Sequence, residues 1–232
     1  LKRVVWIALL PVFFISISMT RIVPVPDVRQ ISGMLGMKGK ALGELDSQTQ
    51  FRQSFIPTQS SIAGIAINFG NYLRSNRGTV TLTLSTLGQK PRRDNPDLTP
   101  EDNLVTLAVP ASRIREKDHV FWFERKNISP GAPLLITISS TSPNEQAVTV
   151  WASRTDRYKE GLLFINDSPV NGDMVFQTYY FESLANIFAH ALRDKRAYVP
   201  LVSPYLILGA SLLLFSLMGL AIANIASQSF DS

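Results

Sequence analysis

Two apolar runs bracket the chain, and almost every charged or turn-forming residue lies between them. The run at 205–226 is 22 residues long and carries no ionisable group beyond the Tyr205 phenol. As a helix it would reach about 33 Å, enough for a hydrocarbon core of about 30 Å. The run at 4–19 follows Lys2 and Arg3 and has 16 residues, the form of a signal anchor. The expectation is two membrane anchors holding one globular domain at the bilayer surface. Residues 1–20 read as an N-terminal transmembrane signal anchor and 21–50 as a linker or arm. Residues 51–180 read as a β-sandwich, 181–197 as an amphipathic interfacial helix with a basic cluster, and 198–232 as a C-terminal transmembrane helix and tail.

Orientation rests on two opposed signals. Lys2 and Arg3 before the first run favour a cytoplasmic N-terminus, and no small-residue cleavage pattern follows Met19. Arg193, Lys195 and Arg196 lie on the domain side of the second run, where a positive-inside count would place the domain inside. Long translocated domains weaken that count and the first helix usually dominates, so the central domain is expected outside the cytoplasm. The sequence contains no cysteine, which excludes disulfides, thiolate metal sites and cysteine nucleophiles while leaving the compartment open.

The net charge of +5 does not point to nucleic acid. Arg74, Arg77, Arg92, Arg93 and Arg113 are scattered, and only Arg193, Lys195 and Arg196 crowd together. Beside an apolar run, such a cluster meets lipid phosphates more naturally than DNA. Membrane lipid is therefore an expected partner and nucleic acid is not.

Between the runs the pattern changes to period two. Val80, Leu82 and Leu84 alternate with Thr79, Thr81 and Thr83, the mark of a strand with one wet side. Ala63, Ile65, Ile67 and Phe69 alternate in the same way with smaller residues. Further strands are expected at 50–55, 104–109, 119–124, 134–140, 147–152, 162–165 and 174–180, separated by Pro, Gly, Asn and Asp clusters. Such spacing predicts an all-β, antiparallel sandwich, jelly-roll-like, rather than a βαβ fold. Residues 21–50, with Pro24, Pro26 and several glycines, lack this periodicity. Leu184, Ile187, Phe188 and Ala191 then fall at helical spacing, which fits a helix in the membrane interface or one packed on the sandwich base.

The central residues also resemble extracytoplasmic β-sandwich domains appended to bacterial polysaccharide-related membrane proteins and membrane glycosyltransferases. The resemblance is carried by Gln53-Ser-Phe55, Ile62-Ala-Gly-Ile65, Gly70-Asn-Tyr72 and Asn76-Arg-Gly-Thr-Val-Thr-Leu82. Ala147-Val-Thr-Val-Trp151, Tyr158-Lys-Glu-Gly161, Asn171-Gly-Asp173 and Phe176-Gln-Thr-Tyr-Tyr180 continue it. It implies an accessory or binding domain rather than a catalytic one; with the two apolar runs, the expectation is a two-pass protein of a bacterial inner membrane with a periplasmic centre. The chain lacks the multi-span catalytic region of the larger proteins, so glycosyl transfer is not carried over.

Catalytic chemistry has little to draw on. The two histidines, His119 and His190, have no second ligand at metal spacing, and no G-x-S-x-G, P-loop or Rossmann pattern occurs. No catalytic residue, cofactor or metal site is assigned, and the chain is expected not to be an enzyme. Asp94, Asp97, Glu101 and Asp102 could offer oxygens to calcium, but EF-hand spacing is missing and Arg92 and Arg93 would compete, which favours a solvated loop.

Two sets of residues point to binding. Trp151, Tyr158 and Tyr179 are types a sugar-binding face uses, because pyranose rings stack on flat π surfaces; Trp122, within Val-Phe-Trp-Phe, reads instead as core. In the second apolar run, Gly219, Ala223 and Ser227 recur every four residues, a small-residue stripe that lets helices approach closely in lipid. The functional expectation is a non-catalytic accessory subunit of a larger integral-membrane complex, its extracytoplasmic sandwich docking on partner subunits. The alternative is a membrane-tethered carbohydrate-binding module for polysaccharide synthesis or export.

Overall fold

The computed structural model describes residues 22–27, 39–93 and 96–187. Pro24–Phe181 form one compact unit, and Leu1–Val23 with Glu182–Ser232 belong to another. Both apolar runs, the basic cluster Arg193, Lys195 and Arg196, and the stripe Gly219, Ala223 and Ser227 lie outside the described residues. Among the described residues no helix is long and apolar enough to cross a membrane.

Twelve strands are described. They are β1 (Ile22–Pro26), β2 (Lys40–Glu44), β3 (Gln50–Phe55), β4 (Ser61–Gly70), β5 (Thr79–Leu87), β6 (Pro100–Pro110), β7 (Lys117–Asn127), β8 (Leu134–Ser140), β9 (Thr149–Ala152), β10 (Leu163–Ile165), β11 (Ser168–Val170) and β12 (Phe176–Ser183). They form two sheets that make an antiparallel β-sandwich. The front sheet contains β1, β12, β4, β9, β2 and β7, and the back sheet runs β11-β10-β3-β8-β5-β6.

Strand β4 organises the front sheet. One side of it pairs with β7 from Ser61↔Asn127 to Phe69↔Lys117. Its other side is shared end to end: Gly64 to Ile67 pair with β12, and Phe69 and Gly70 pair with β9. From β2 to β12 the chain crosses between the sheets at every connection except β5 to β6 and β10 to β11.

The core follows from the alternation. Across the back sheet, Phe51, Ile138, Leu82 and Leu107 stand in register, as do Gln53, Ile136, Leu84 and Val105. They meet Ile65, Ile67, Phe69, Phe121 and Phe176 from the front sheet in one hydrophobic cluster. Gln53 is the polar exception, and its Oε1 accepts the Met174 N–H at 2.8 Å, so the buried amide carbonyl is satisfied. A satellite cluster of Leu87, Leu98, Leu135 and Phe164 forms outside the main core.

Two expectations need correction. The stretch 21–50, read as a linker or arm, contributes β1 and β2 to the front sheet; the prolines of β1 and the positive φ of +102° at Gly43 in β2 mask their period. The segment 181–197 does not begin as helix, because β12 continues to Ser183 and helix starts at 184. Ser183 caps that start, its Oγ accepting the Asn186 N–H at 3.2 Å.

Candidate functional site

The outward positions of β4 carry small side chains where its inward positions carry Ile65, Ile67 and Phe69. Gly64, Ala66, Asn68 and Gly70 make the middle of the front sheet a shallow trough. Large side chains from the neighbouring strands close over it. Gly64 stands opposite Trp122 on β7 and opposite Tyr179 on β12. A Cβ at Gly64 would sit 2.6 Å from Trp122 Cε3 and 2.7 Å from Cζ3, so only glycine lets the indole lie this low.

Trp122 and Tyr179 meet above Gly64 with ring centroids 5.1 Å apart and planes tilted by 59°. Phe181, two residues beyond Tyr179, lies nearly parallel to Trp122 at 6.5 Å and 17°. The pairing of β7 with β4 shifts register between Ile62 and Gly64, and such irregularity re-aims a side chain. Trp122 remains 47% exposed, unusual for so large an apolar group. Burial, then the nearby Asp118 carboxylate, raises the Tyr179 phenol above its ordinary range.

Polar groups around this strip are already engaged. Gln177 is buried and donates from Nε2 to the Asp27 carbonyl at 2.8 Å. Asn68 donates from Nδ2 to Asp118 Oδ1 at 2.7 Å.

The residues singled out for sugar stacking do not form one platform. Trp151 lies at the other end of β4, where a Cβ on Gly70 would meet its Nε1 at 3.0 Å. Tyr158 belongs to the interior, its ring edge-on to Phe176. Its hydroxyl accepts the Ile56 N–H at 2.9 Å and donates to the Ile56 carbonyl at 3.1 Å. Burial pushes that phenol up to about 12. Tyr179 alone of the three joins the exposed strip, and Trp122, read from its apolar neighbours as core, stands beside it. Phe121 points inward and is 2% exposed, so strict alternation puts Trp122 outside. The glycine in mid-strand at 64 was the signal for its close approach.

A second exposed feature lies where β4 ends. Tyr72 and Leu73 both take φ of +55°, a left-handed conformation costly for bulky side chains. The Leu73 N–H donates to Asn71 Oδ1 at 3.0 Å, and the Arg74 guanidinium lies 4.7 Å from the Tyr72 ring centroid. Leu73 is 88% exposed.

Ionisable groups are tied into structure. Asp173 is fully buried and accepts the Arg157 and Tyr158 N–H groups at 2.7 and 2.9 Å, holding the loop after β9. Burial raises its carboxyl above the usual range. His119 packs edge-on to Phe69 and Phe121, and burial lowers its pKa. Asp97 accepts from the Thr99 hydroxyl and N–H, which lowers its pKa. Among the described residues no cluster of three or more His, Asp or Glu side chains could hold a metal ion.

No family model and no curated protein matches the sequence. Among solved structures, the infectious bursal disease virus VP2 subviral particle matches at 13% identity and a TM-score of 0.22. That match covers 81% of this chain and 48% of the viral one, so the chain spans about half its length. A likeness of that degree carries no weight for fold or function.

Proposed function

We propose that this chain is a non-catalytic, membrane-anchored accessory subunit whose extracytoplasmic sandwich docks on partner subunits of an integral-membrane complex. The observation that carries the reading is the tip at Tyr72 and Leu73: two bulky residues held in left-handed backbone, with Leu73 facing solvent. Strain of this kind persists where the surrounding structure enforces it, and it gathers at sites of contact. An exposed leucine gains its burial free energy, about 1.5–3 kcal/mol, only when a partner covers it.

β12 runs antiparallel to β4, with Tyr179 beside Gly64 near the start of β4. The chain therefore leaves the sandwich at one end of β4, and the tip follows the other end, roughly 30 Å away at about 3.3 Å per residue. On this reading 4–19 and 205–226 span a bacterial inner membrane. Gly219, Ala223 and Ser227 then provide the intramembrane contact with partner helices, while Arg193, Lys195 and Arg196 meet lipid headgroups. The alternation of chain crossings, with β2-β9-β4-β7 facing β3-β8-β5-β6, supports the finer description of the sandwich as a jelly roll.

Purification in a mild detergent tests the proposal. Partner chains should co-purify with the natural protein and be lost with Leu73→Asp, whose sandwich remains folded. Retention of all partners by that variant, or a monomer without partners from the outset, contradicts it. The carbohydrate-binding alternative draws on Trp151 and Tyr179, both half-buried on the front sheet; binding of envelope glycans abolished by Trp151→Ala would favour it.

A further inference from the structure

The aromatic strip of Trp122, Tyr179 and Phe181 has no part in the tip contact, and its place in the chain says what covers it. We infer that this strip is a bilayer-contact surface: it rests in the headgroup region of the membrane. The inference rests on the anchoring of residues 4–19 proposed above.

The tether sets the geometry. Only residues 20–23 separate the end of the apolar run from Pro24, where the compact unit begins. From Met19 to Pro24, fully extended chain covers at most about 18 Å. Pro24 belongs to β1, which lies beside β12, and the Asp27 N–H donates to the Thr178 carbonyl at 2.8 Å. Tyr179 is the next residue. Trp122 is two strands beyond β12, on the far side of β4, about 10 Å further at normal strand spacing.

The chemistry of the strip fits lipid better than sugar. Trp and Tyr favour the membrane interface, because their rings are apolar and their polar edges remain hydrated. Trp122 and Tyr179 meet at 59°, so they form a ridge rather than a flat floor for a pyranose. The nearest polar side chain in the trough, Gln177, already donates to backbone carbonyls and has little to offer a sugar. Beyond Trp122 on β7 stand Glu124, Arg125 and Lys126, the first two exposed and the third half-buried, and the two cations can meet lipid phosphates beside that one carboxylate.

Tryptophan quenching in proteoliposomes tests this on the full chain. The sequence has three tryptophans, Trp6, Trp122 and Trp151, so Trp6→Phe with Trp151→Phe leaves Trp122 as sole reporter. In vesicles brominated near the headgroups, its emission should fall relative to unbrominated vesicles, and fall more than with bromine near the chain ends. If Trp151→Phe disturbs folding, Trp122→Phe in the natural background should remove that same quenchable emission. A companion chain retaining only Trp6 reports on the anchor. Quenching of Trp6 without quenching of Trp122 leaves the anchor standing and overturns the lipid contact. Failure to quench either overturns both readings. Trp122 emission that ignores bromine but shifts with envelope polysaccharide fragments overturns the lipid contact in favour of a glycan.

Discussion

On the back sheet the outward positions in register read Arg52, Thr137, Thr83, Thr106, then Gln50, Ser139, Thr81, Ala108. On the front sheet they read Trp122, Gly64, Tyr179, then Val120, Ala66, Gln177. The two faces belong to one sandwich and share one core, yet these rows of the back face are mostly hydroxyls, with the outward Phe164 and Leu135 buried in the satellite cluster beside Leu87 and Leu98, and the front face is a glycine trough roofed by aromatic rings. Short hydroxyl side chains keep an exposed sheet wet and leave no apolar patch. The difference bears on the contact proposed above: the outward apolar residues of the back sheet are covered, whereas Trp122 on the front sheet is left 47% exposed.

The largest expected effect separates the inside of β12 from its outside. Phe176 is fully buried and touches the rings of Phe55 and Tyr158, so Phe176→Ala should cost about 3–5 kcal/mol. Tyr179→Ala, three residues on, loses a half-exposed ring pair and should cost about 0.5–1.5 kcal/mol. Denaturant unfolding of both variants checks this. Equal losses would mean that the strip is part of the core, and the comparison of faces would fail.

Glycine 64 gives the next effect. Gly64→Val must displace the Trp122 indole, since even its Cβ would lie 2.6 Å from the ring. Overpacking of this kind costs about 1–3 kcal/mol, and Trp122 emission should shift toward that of a solvated indole. On the back face, Thr83→Val should stay within about 0.5 kcal/mol of the natural chain. Matching losses at the two positions would erase the distinction.

A smaller effect appears at high pH. The Tyr158 phenol ionises at about 12 in the folded protein, against about 10 in an unfolded chain. Below pH 10 both states are protonated and the contribution of this group is fully present. Between pH 10 and 12 the unfolded state releases its proton first, so stability falls as pH rises through that window. Tyr158→Phe should flatten this decline while lowering stability at neutral pH through loss of the Ile56 hydrogen bonds. An unchanged alkaline slope would show that Tyr158 is more exposed than its partners imply.

Most of the sandwich was legible because one wet face and one dry face write themselves into the chain every second residue. Thr79 to Leu84 shows it clearly, and β5 lies where that alternation stands. β1, with Pro24 and Pro26, and β11, with Pro169, carry no such signature because prolines sit where alternation would be read. β2 is interrupted by Gly43 and joins β9 through an irregular register. Trp122 was hidden for another reason. Val120, Phe121, Trp122 and Phe123 are apolar on both faces, so composition could not say which face met solvent; only pairing with Gly64 decides it. Tyr158 shows the reverse, an aromatic that looked like a platform and is held inward by a backbone partner more than a hundred residues away in sequence, Ile56.

Spin-label accessibility in a lipid bilayer tests the contrast of the two faces most directly. The chain has no cysteine, so Val120→Cys on the front face and Thr83→Cys on the back face each give one labelling site. With the full chain in vesicles, the label at 120 should be reached more readily by oxygen, which concentrates in lipid, than by a water-soluble nickel chelate. The label at 83 should show the opposite preference. If both labels respond alike, with the chelate favoured at each, the front face meets water as the back face does and the account is wrong.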